Sequence, residues 1–285
     1  MFFESEFKRF DIMNAIKMCG GIGNQLFQYA FGKALQKRGK LVCYDMAWYT
    51  HPVTMDPRFP RPFRLDKFQI TSFPIGSLIK DNATVYDLRI GYKLEVLDLN
   101  NENNFEGYWQ YPDYFKNVFL DLKKEYQLKT SEYTDKFLKY ADLIWKLESV
   151  SVHVRRGDYQ LHRKGSFRDL PADYYFDAMK LIKGDLFIFS DDLPWCRKIF
   201  NQAYFTRKVT FVDIEDYLAF ELLRYCKHNI ITNSTFSWWA AILNDNPGKV
   251  VICPKHYLWD TPEYSEQYRY PKEWIKIDDY ALHNI

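Results

Sequence analysis

Long apolar runs are missing from this chain. No stretch approaches the roughly 18 residues of a membrane-spanning helix. The opening, MFFESEFKRFDIM, carries charges where a signal peptide has its apolar stretch. Paired cysteines are missing too. Cys19, Cys43, Cys196, Cys226 and Cys253 are odd in number, scattered and without a CxxC pair. That pattern points to reduced thiols in a cytoplasmic protein, with neither a disulfide framework nor a zinc site. Charge of one sign is not in excess: 39 basic residues face 37 acidic ones, which argues against a general nucleic-acid binder. Internal repeats and low-complexity segments are absent. So is a full GxGxxG motif, which weakens any reading as a dinucleotide-dependent redox enzyme.

What is present is a globular composition. Hydrophobic residues make up 47% of 285, enough to exclude disorder and, at this length, to build two domains. NAIKM reads as a strand, CGGIG as a glycine turn, NQLFQYAFGKALQK as an amphipathic helix stopped by Gly39, and KLVCYD as a second strand. Residues 50–145 are less regular. HPVTMDPRFPRPFRLDKF reads as a long surface loop and NNFEGYWQYPDYF as a loop leading into a helix. From residue 150 five strands alternate with four helices, the pattern of a parallel sheet covered on both faces. The expected fold class is α/β, with two Rossmann-like domains. The N-terminal one spans 1–145, with 1–12 as a short extension, and the C-terminal one spans 146–285.

Three polar clusters sit at strand ends in the second half, where open α/β sheets bind ligands. They are HVRRGDY, SDD and TNSTFSWW. Arg155 and Arg156 are permanently charged forks suited to phosphate. Neighbours in an extended segment point oppositely, so one should reach ligand while the other braces the site. His153 either bonds phosphate or is a core histidine satisfied locally. Ser234 and Thr235 open a helix whose N-terminus favours an anion, although simple capping explains them as well. Asp191 and Asp192 suit the N1 and N2 donors of guanine, or cap the next helix. Trp238 and Trp239 suit packing. Together these residues describe a site for a nucleoside diphosphate.

The motifs GGIGNQLFQYAFGKAL, SVHVRRGDY, SDDLPWC and ITNSTFSWWAAIL, in this order, closely resemble those of bacterial alpha-1,2-fucosyltransferases of glycosyltransferase family 11. The resemblance runs from about residue 16 to 255, with FEGYWQ as a patch in the middle. It implies a GT-B fold with the two sheets facing across a cleft, GDP-β-L-fucose as donor, inversion at the anomeric carbon, and no metal or other cofactor. It also implies an acceptor that is a galactose-terminated oligosaccharide or a lipid-linked glycan. Donor binding then falls to the C-terminal domain and acceptor binding to the N-terminal one. The location is cytoplasmic, with peripheral contact at the inner face of the membrane left open.

On that reading Arg155, His153 and the helix start at Ser234 and Thr235 stabilise the departing diphosphate. Asp158 is the candidate base for the acceptor hydroxyl, or a turn-stabilising residue after Gly157. Asn233 and Phe236 belong to the same cluster. Gly21, Gly23, Asn24 and Gln25 line the glycine loop toward substrate, and Tyr108, Trp109 and Gln110 form an acceptor wall. The acids Asp213, Glu215 and Asp216 open a strong helix, where its dipole explains them without a metal. Fucosyl transfer in another linkage, or glycan binding without turnover, remains as an alternative.

Overall fold

The computed structural model describes residues 13–50, 58–79, 82–87, 93–99, 102–162, 169–256 and 269–278. The expected extension 1–12, and residues 51–57 of the expected loop, lie outside them. The chain forms two units, Met1–Gln127 with Pro262–Arg269 and Leu128–Thr261 with Tyr270–Ile285.

The first unit opens as expected, with β1 (Asn14–Lys17), α1 (Ile22–Lys37) and β2 (Val42–Asp45). Gly20 sits at φ +81°, and a Cβ there would meet the Asn24 amide at 2.6 Å, so the turn into α1 requires glycine. α1 buries Leu26, Phe27, Ala30, Phe31, Ala34 and Leu35 on one stripe. The strands β3 (Ile75–Gly76), β4 (Ala83–Tyr86) and β5 (Asn103–Glu106) complete a parallel sheet in the order β3-β2-β1-β5-β4. A short helix, α2 (Phe119–Glu125), follows.

NNFE is therefore a strand beside β1, not part of the expected loop. Its asparagines are buried: the Asn104 amide holds backbone, and the Asn103 main chain is held by the Asn14 side chain. Asn104 accepts from Ile79 N at 2.9 Å and donates to Ile79 O at 2.7 Å. Asn103 N donates to Asn14 Oδ1 at 3.1 Å.

The second unit begins earlier than the expected boundary at 145/146. Helix α3 (Asp135–Lys146) belongs to it. Tyr133 and Tyr225 share a hydroxyl–hydroxyl bond of 3.0 Å, and Tyr140 donates to Phe211 O at 3.3 Å. These bonds tie the helix to residues some 70–90 positions later, which no local pattern announces.

After α3 come β6 (Ser149–Val154), α4 (Ala172–Lys180), β7 (Asp185–Ser190), α5 (Leu193–Ile199) and β8 (Val209–Val212). The unit continues with α6 (Asp216–Tyr225), β9 (His228–Ile230), α7 (Thr235–Leu243), β10 (Val251–Pro254) and β11 (Ile275–Ile277). Strand β11 lies outside the expected alternation. The sheet is parallel in the order β11-β10-β9-β6-β7-β8. Both units are thus Rossmann-like, and the fold is α/β.

Strand β6 is buried along its whole length. Val150, Val152 and Val154 join the apolar core with Tyr174, Ile188 and Ile230, each burial stabilising by about 1.5–3 kcal/mol. The alternate residues are polar and are satisfied sideways. Asn229 donates to Ser151 Oγ at 2.7 Å, and Lys227 N donates to Ser149 Oγ at 3.1 Å. The strand is thereby locked in register, and its carboxyl end points the next residues out of the core.

Candidate functional site

In the second unit the chain runs from β6 outward to β7 and β8, then returns to place β9 on the other side of β6. The strand order reverses at β6, and such a switch point opens a crevice at the carboxyl ends. All three polar clusters lie there, because they end β6, β7 and β9.

The two arginines part company. Arg155 bonds Asp158 Oδ1 at 2.5 Å and Asp191 Oδ2 at 2.7 Å, with its guanidinium 5.4 Å from the Tyr159 ring centre. Burial opposes its charge, but Asp191 and Asp158 more than offset that and raise its pKa. Arg156 bonds Asp192 Oδ2 at 3.1 Å and Asp169 Oδ2 at 2.9 Å and stacks 4.1 Å over the Trp195 ring, a cation–π geometry. Four carboxylates thus surround two guanidiniums.

Asp191 and Asp192 do not stand clear to read a base, as the sequence suggested. Asp191 Oδ1 accepts from Arg156 N at 2.9 Å, and Asp192 Oδ1 caps α5 by accepting from Trp195 N at 3.0 Å. Both carboxylates hold the arginines and the loop in place. Residues that sequence reasoning missed here are Asp169, Tyr159, Trp195 and Thr232. Tyr159, Trp195 and Thr232 sit inside HVRRGDY, SDDLPWC and TNSTFSWW without having been singled out, and Asp169 lies outside every motif.

His153 is buried, with Nδ1 3.3 Å from the Thr232 hydroxyl and its ring 5.2 Å from Phe236. Burial, helped by the Arg155 charge, pushes its pKa down from 6.5 to about 3. This depression favours the neutral ring, so a part for His153 at a diphosphate is that of a hydrogen-bond donor and not of a charge. Its contribution to stability should be full above pH 6.5 and be lost as the pH falls toward 3, because the unfolded chain takes up the proton and the folded one does not. Thermal melts across this range should show a shallower acid limb in His153→Gln. An unchanged limb would count against a buried neutral ring.

Ser234 caps α7, its side chain accepting from Phe236 N at 3.3 Å. Thr235 is the first helical residue, and no acid occupies the first turn, so the positive end of the helix dipole is left uncompensated from within. Asn233 O accepts from Tyr159 OH at 3.4 Å, which ties the β6 loop to the β9 end. Trp238 and Trp239 are core residues, as expected. Glu215 and Asp216 stand at the start of α6.

In the first unit the expected residues divide differently. Gly21 forms the N-cap of α1, and Gly23 is buried inside the helix. Gln25 is fully buried: its amide nitrogen donates to Gly20 O at 3.0 Å and Pro62 O at 2.9 Å, and its oxygen accepts from Arg64 N at 2.9 Å. It clamps two loops together and does not present itself to substrate.

Trp109 is a second correction. Its φ of 54° turns it inward, where it stacks 4.2 Å from Phe31 as part of the core. Gln110 is buried, donating to Asn24 Oδ1 at 2.9 Å and accepting from Arg269 at 3.2 Å. Of the expected acceptor wall, Tyr108 alone is half-exposed.

Comparison with known proteins decides the family. The family profile described as "Glycosyl transferase family 11" matches residues 4–278. The chain belongs to glycosyltransferase family 11. Among its relatives is an Escherichia coli alpha-1,2-colitosyltransferase, 29% identical, with 92% of this chain and 98% of the relative covered. The Escherichia coli O-antigen biosynthesis glycosyltransferase WbnK is 28% identical over 85% of this chain and 93% of its own. The rat galactoside alpha-(1,2)-fucosyltransferase 2 is 29% identical over 93% of this chain and 77% of its own. In this family 11 glycosyltransferase no helix among the described residues is long and apolar enough to cross a membrane.

Proposed function

We propose that this family 11 glycosyltransferase moves L-fucose from GDP-β-L-fucose to the 2-hydroxyl of a terminal galactose, with inversion and without a metal. The observation that carries the reading is the Arg155 guanidinium at the end of β6, beside the acid-free start of α7 at the switch point. The acceptor oxygen attacks the anomeric carbon from the face opposite GDP. The C–O bond to the β-phosphate breaks with its electron pair on the phosphate, so negative charge develops there. Arg155 and the α7 N–H groups meet that charge, and Asp158 takes the acceptor proton.

The acceptor is a galactose-terminated oligosaccharide or a lipid-linked glycan, a reading supported by relatives named for galactoside transfer and O-antigen synthesis. The site of action is the cytoplasm, at the inner membrane face when the acceptor is lipid-linked.

The test is an acceptor screen with GDP-fucose, reading released GDP and the product linkage by NMR. Transfer with an alpha-1,2 product, nearly unchanged in EDTA, is expected. Activity lost in EDTA and restored by Mn²⁺ or Mg²⁺ would sink the metal-free mechanism. A second reading, the 3-deoxy counterpart colitose as the donor sugar, is favoured by the colitosyltransferase relative. Running both donors side by side separates the two.

A further inference from the structure

The first unit has its own switch point, and the glycine-loop and GYWQ motifs do not account for what stands there. Its chain runs from β1 to β2 and β3 on one side, with β5 and β4 on the other. The reversal falls between β1 and β5. Ile16 is in register with Phe105, so the next residues, Lys17 and Glu106, end the two strands side by side. Lys17 Nζ bonds Glu106 Oε2 at 2.8 Å, with the side chains 38% and 26% exposed. We infer that the Lys17–Glu106 pair is a binding site for the vicinal hydroxyls of the acceptor's terminal sugar. This inference rests on the transferase reading above.

The neighbouring strand end supplies the contrast. Asp45 ends β2 in register with Lys17, and both of its oxygens are taken, by Ala47 N and Leu78 N at 2.8 Å each. Asp45 is a structural clasp. Among the described residues Glu106 accepts one side-chain bond, from Lys17, and Lys17 donates that one bond. An ammonium has three donors and a carboxylate two oxygens, so the pair keeps donors and an acceptor next to each other. A sugar diol presents the same mixture of hydroxyl donors and acceptors at matching separation.

The pair's charge selects among ligands. Lysine and glutamate cancel, so the pair offers a diphosphate no net attraction and a neutral glycan no penalty. Stability does not account for it either, since a half-exposed ion pair contributes little. Just beyond Glu106 the chain is held rigid. Asp87 Oδ2 accepts from Tyr108 N at 3.2 Å and Trp109 N at 2.8 Å. This turn presents the half-exposed Tyr108 two residues from Glu106, an aromatic face of the kind that stacks on sugars.

The experiment uses the full chain with lactose as acceptor probe. Glu106→Gln and Lys17→Met should each raise the lactose KM at least tenfold, while GDP affinity by calorimetry stays within twofold. The exchange Lys17→Glu with Glu106→Lys should melt like the parent yet keep a raised KM, because it restores the ion pair but transposes donors and acceptors. An unchanged lactose KM in the single variants, or its full recovery in the exchange, would overturn the inference. Should the parent protein release no GDP from GDP-fucose with any acceptor, the transferase reading fails. Lactose binding by ligand-observed NMR then decides the inference separately: a signal lost in Glu106→Gln supports it, and an equal signal in both proteins refutes it.

Discussion

Asp158→Asn should slow fucosyl transfer by about 10²–10⁴-fold, the range for loss of a positioned general base, and at the same time tighten GDP binding. The two effects have opposite signs because Asp158 has two demands on it. As the base it must accept the acceptor proton. In the structure its Oδ1 bonds Arg155 at 2.5 Å, and the same guanidinium is the proposed diphosphate ligand. A carboxylate and a phosphate then compete for one arginine. The amide keeps the shape and part of the hydrogen bonding but gives up the charge, so it competes less. Calorimetry should therefore show a lower GDP Kd for Asp158→Asn, measured beside initial rates. A mutant that binds GDP no better and turns over normally would make Asp158 a turn residue and favour another carboxylate.

Arg155→Ala should reduce transfer by roughly 10²–10³-fold, the loss found for one preorganised donor at a developing charge. Lys at this position should rescue in part, since it keeps the charge but not the fork that spans Asp158 and Asp191. Arg156→Ala should behave differently. Its partners are Asp169, Asp192 and the Trp195 face, all of which fix the loop. Removing it leaves carboxylates without their cation, which costs toward the lower end of the ~3–5 kcal/mol seen for broken buried pairs. Thermal melts should fall by several degrees in Arg156→Ala and by less in Arg155→Ala, because Arg155 is the more exposed guanidinium and its ring contact is looser, 5.4 Å from Tyr159 against 4.1 Å from Trp195. If the order of the melts is reversed and Arg155→Ala turns over normally, Arg156 becomes the phosphate ligand.

The alternation of short apolar runs with amphipathic stripes after residue 150 was enough to read nine of the second unit's elements, because each lies within one local periodicity. The strand-end position of HVRRGDY, SDD and TNSTFSWW was legible for the same reason. A strand that ends in charge has nowhere to put it except the sheet's carboxyl edge. Local pattern could not reach contacts made by residues far apart in the chain. Strand β5 looks polar, yet the Asn104 amide is spent on Ile79 backbone 25 residues away, and the Asn14 side chain holds Asn103 N from 89 residues away. Helix α3 is legible as a helix, but the unit it belongs to is decided by Tyr140, which meets Phe211 O 71 residues later.

Side-chain direction was the second thing left to the tertiary structure. Trp109 and Tyr108 are neighbours with the same sugar-stacking chemistry. A backbone φ of 54° and the face of Phe31 send the tryptophan into the core and leave the tyrosine half-exposed. The arginine pair was readable as one ligand and one brace. Asp169, thirteen residues from Arg156 and outside every motif, comes to 2.9 Å from it on folding, which supports the proposed reading of Arg156 as the brace. Sequence determined which chemistry this protein carries and at which strand ends. The fold decided which side chains are already committed to one another, because a hydrogen bond closed by tertiary contact leaves no trace in the order of the residues.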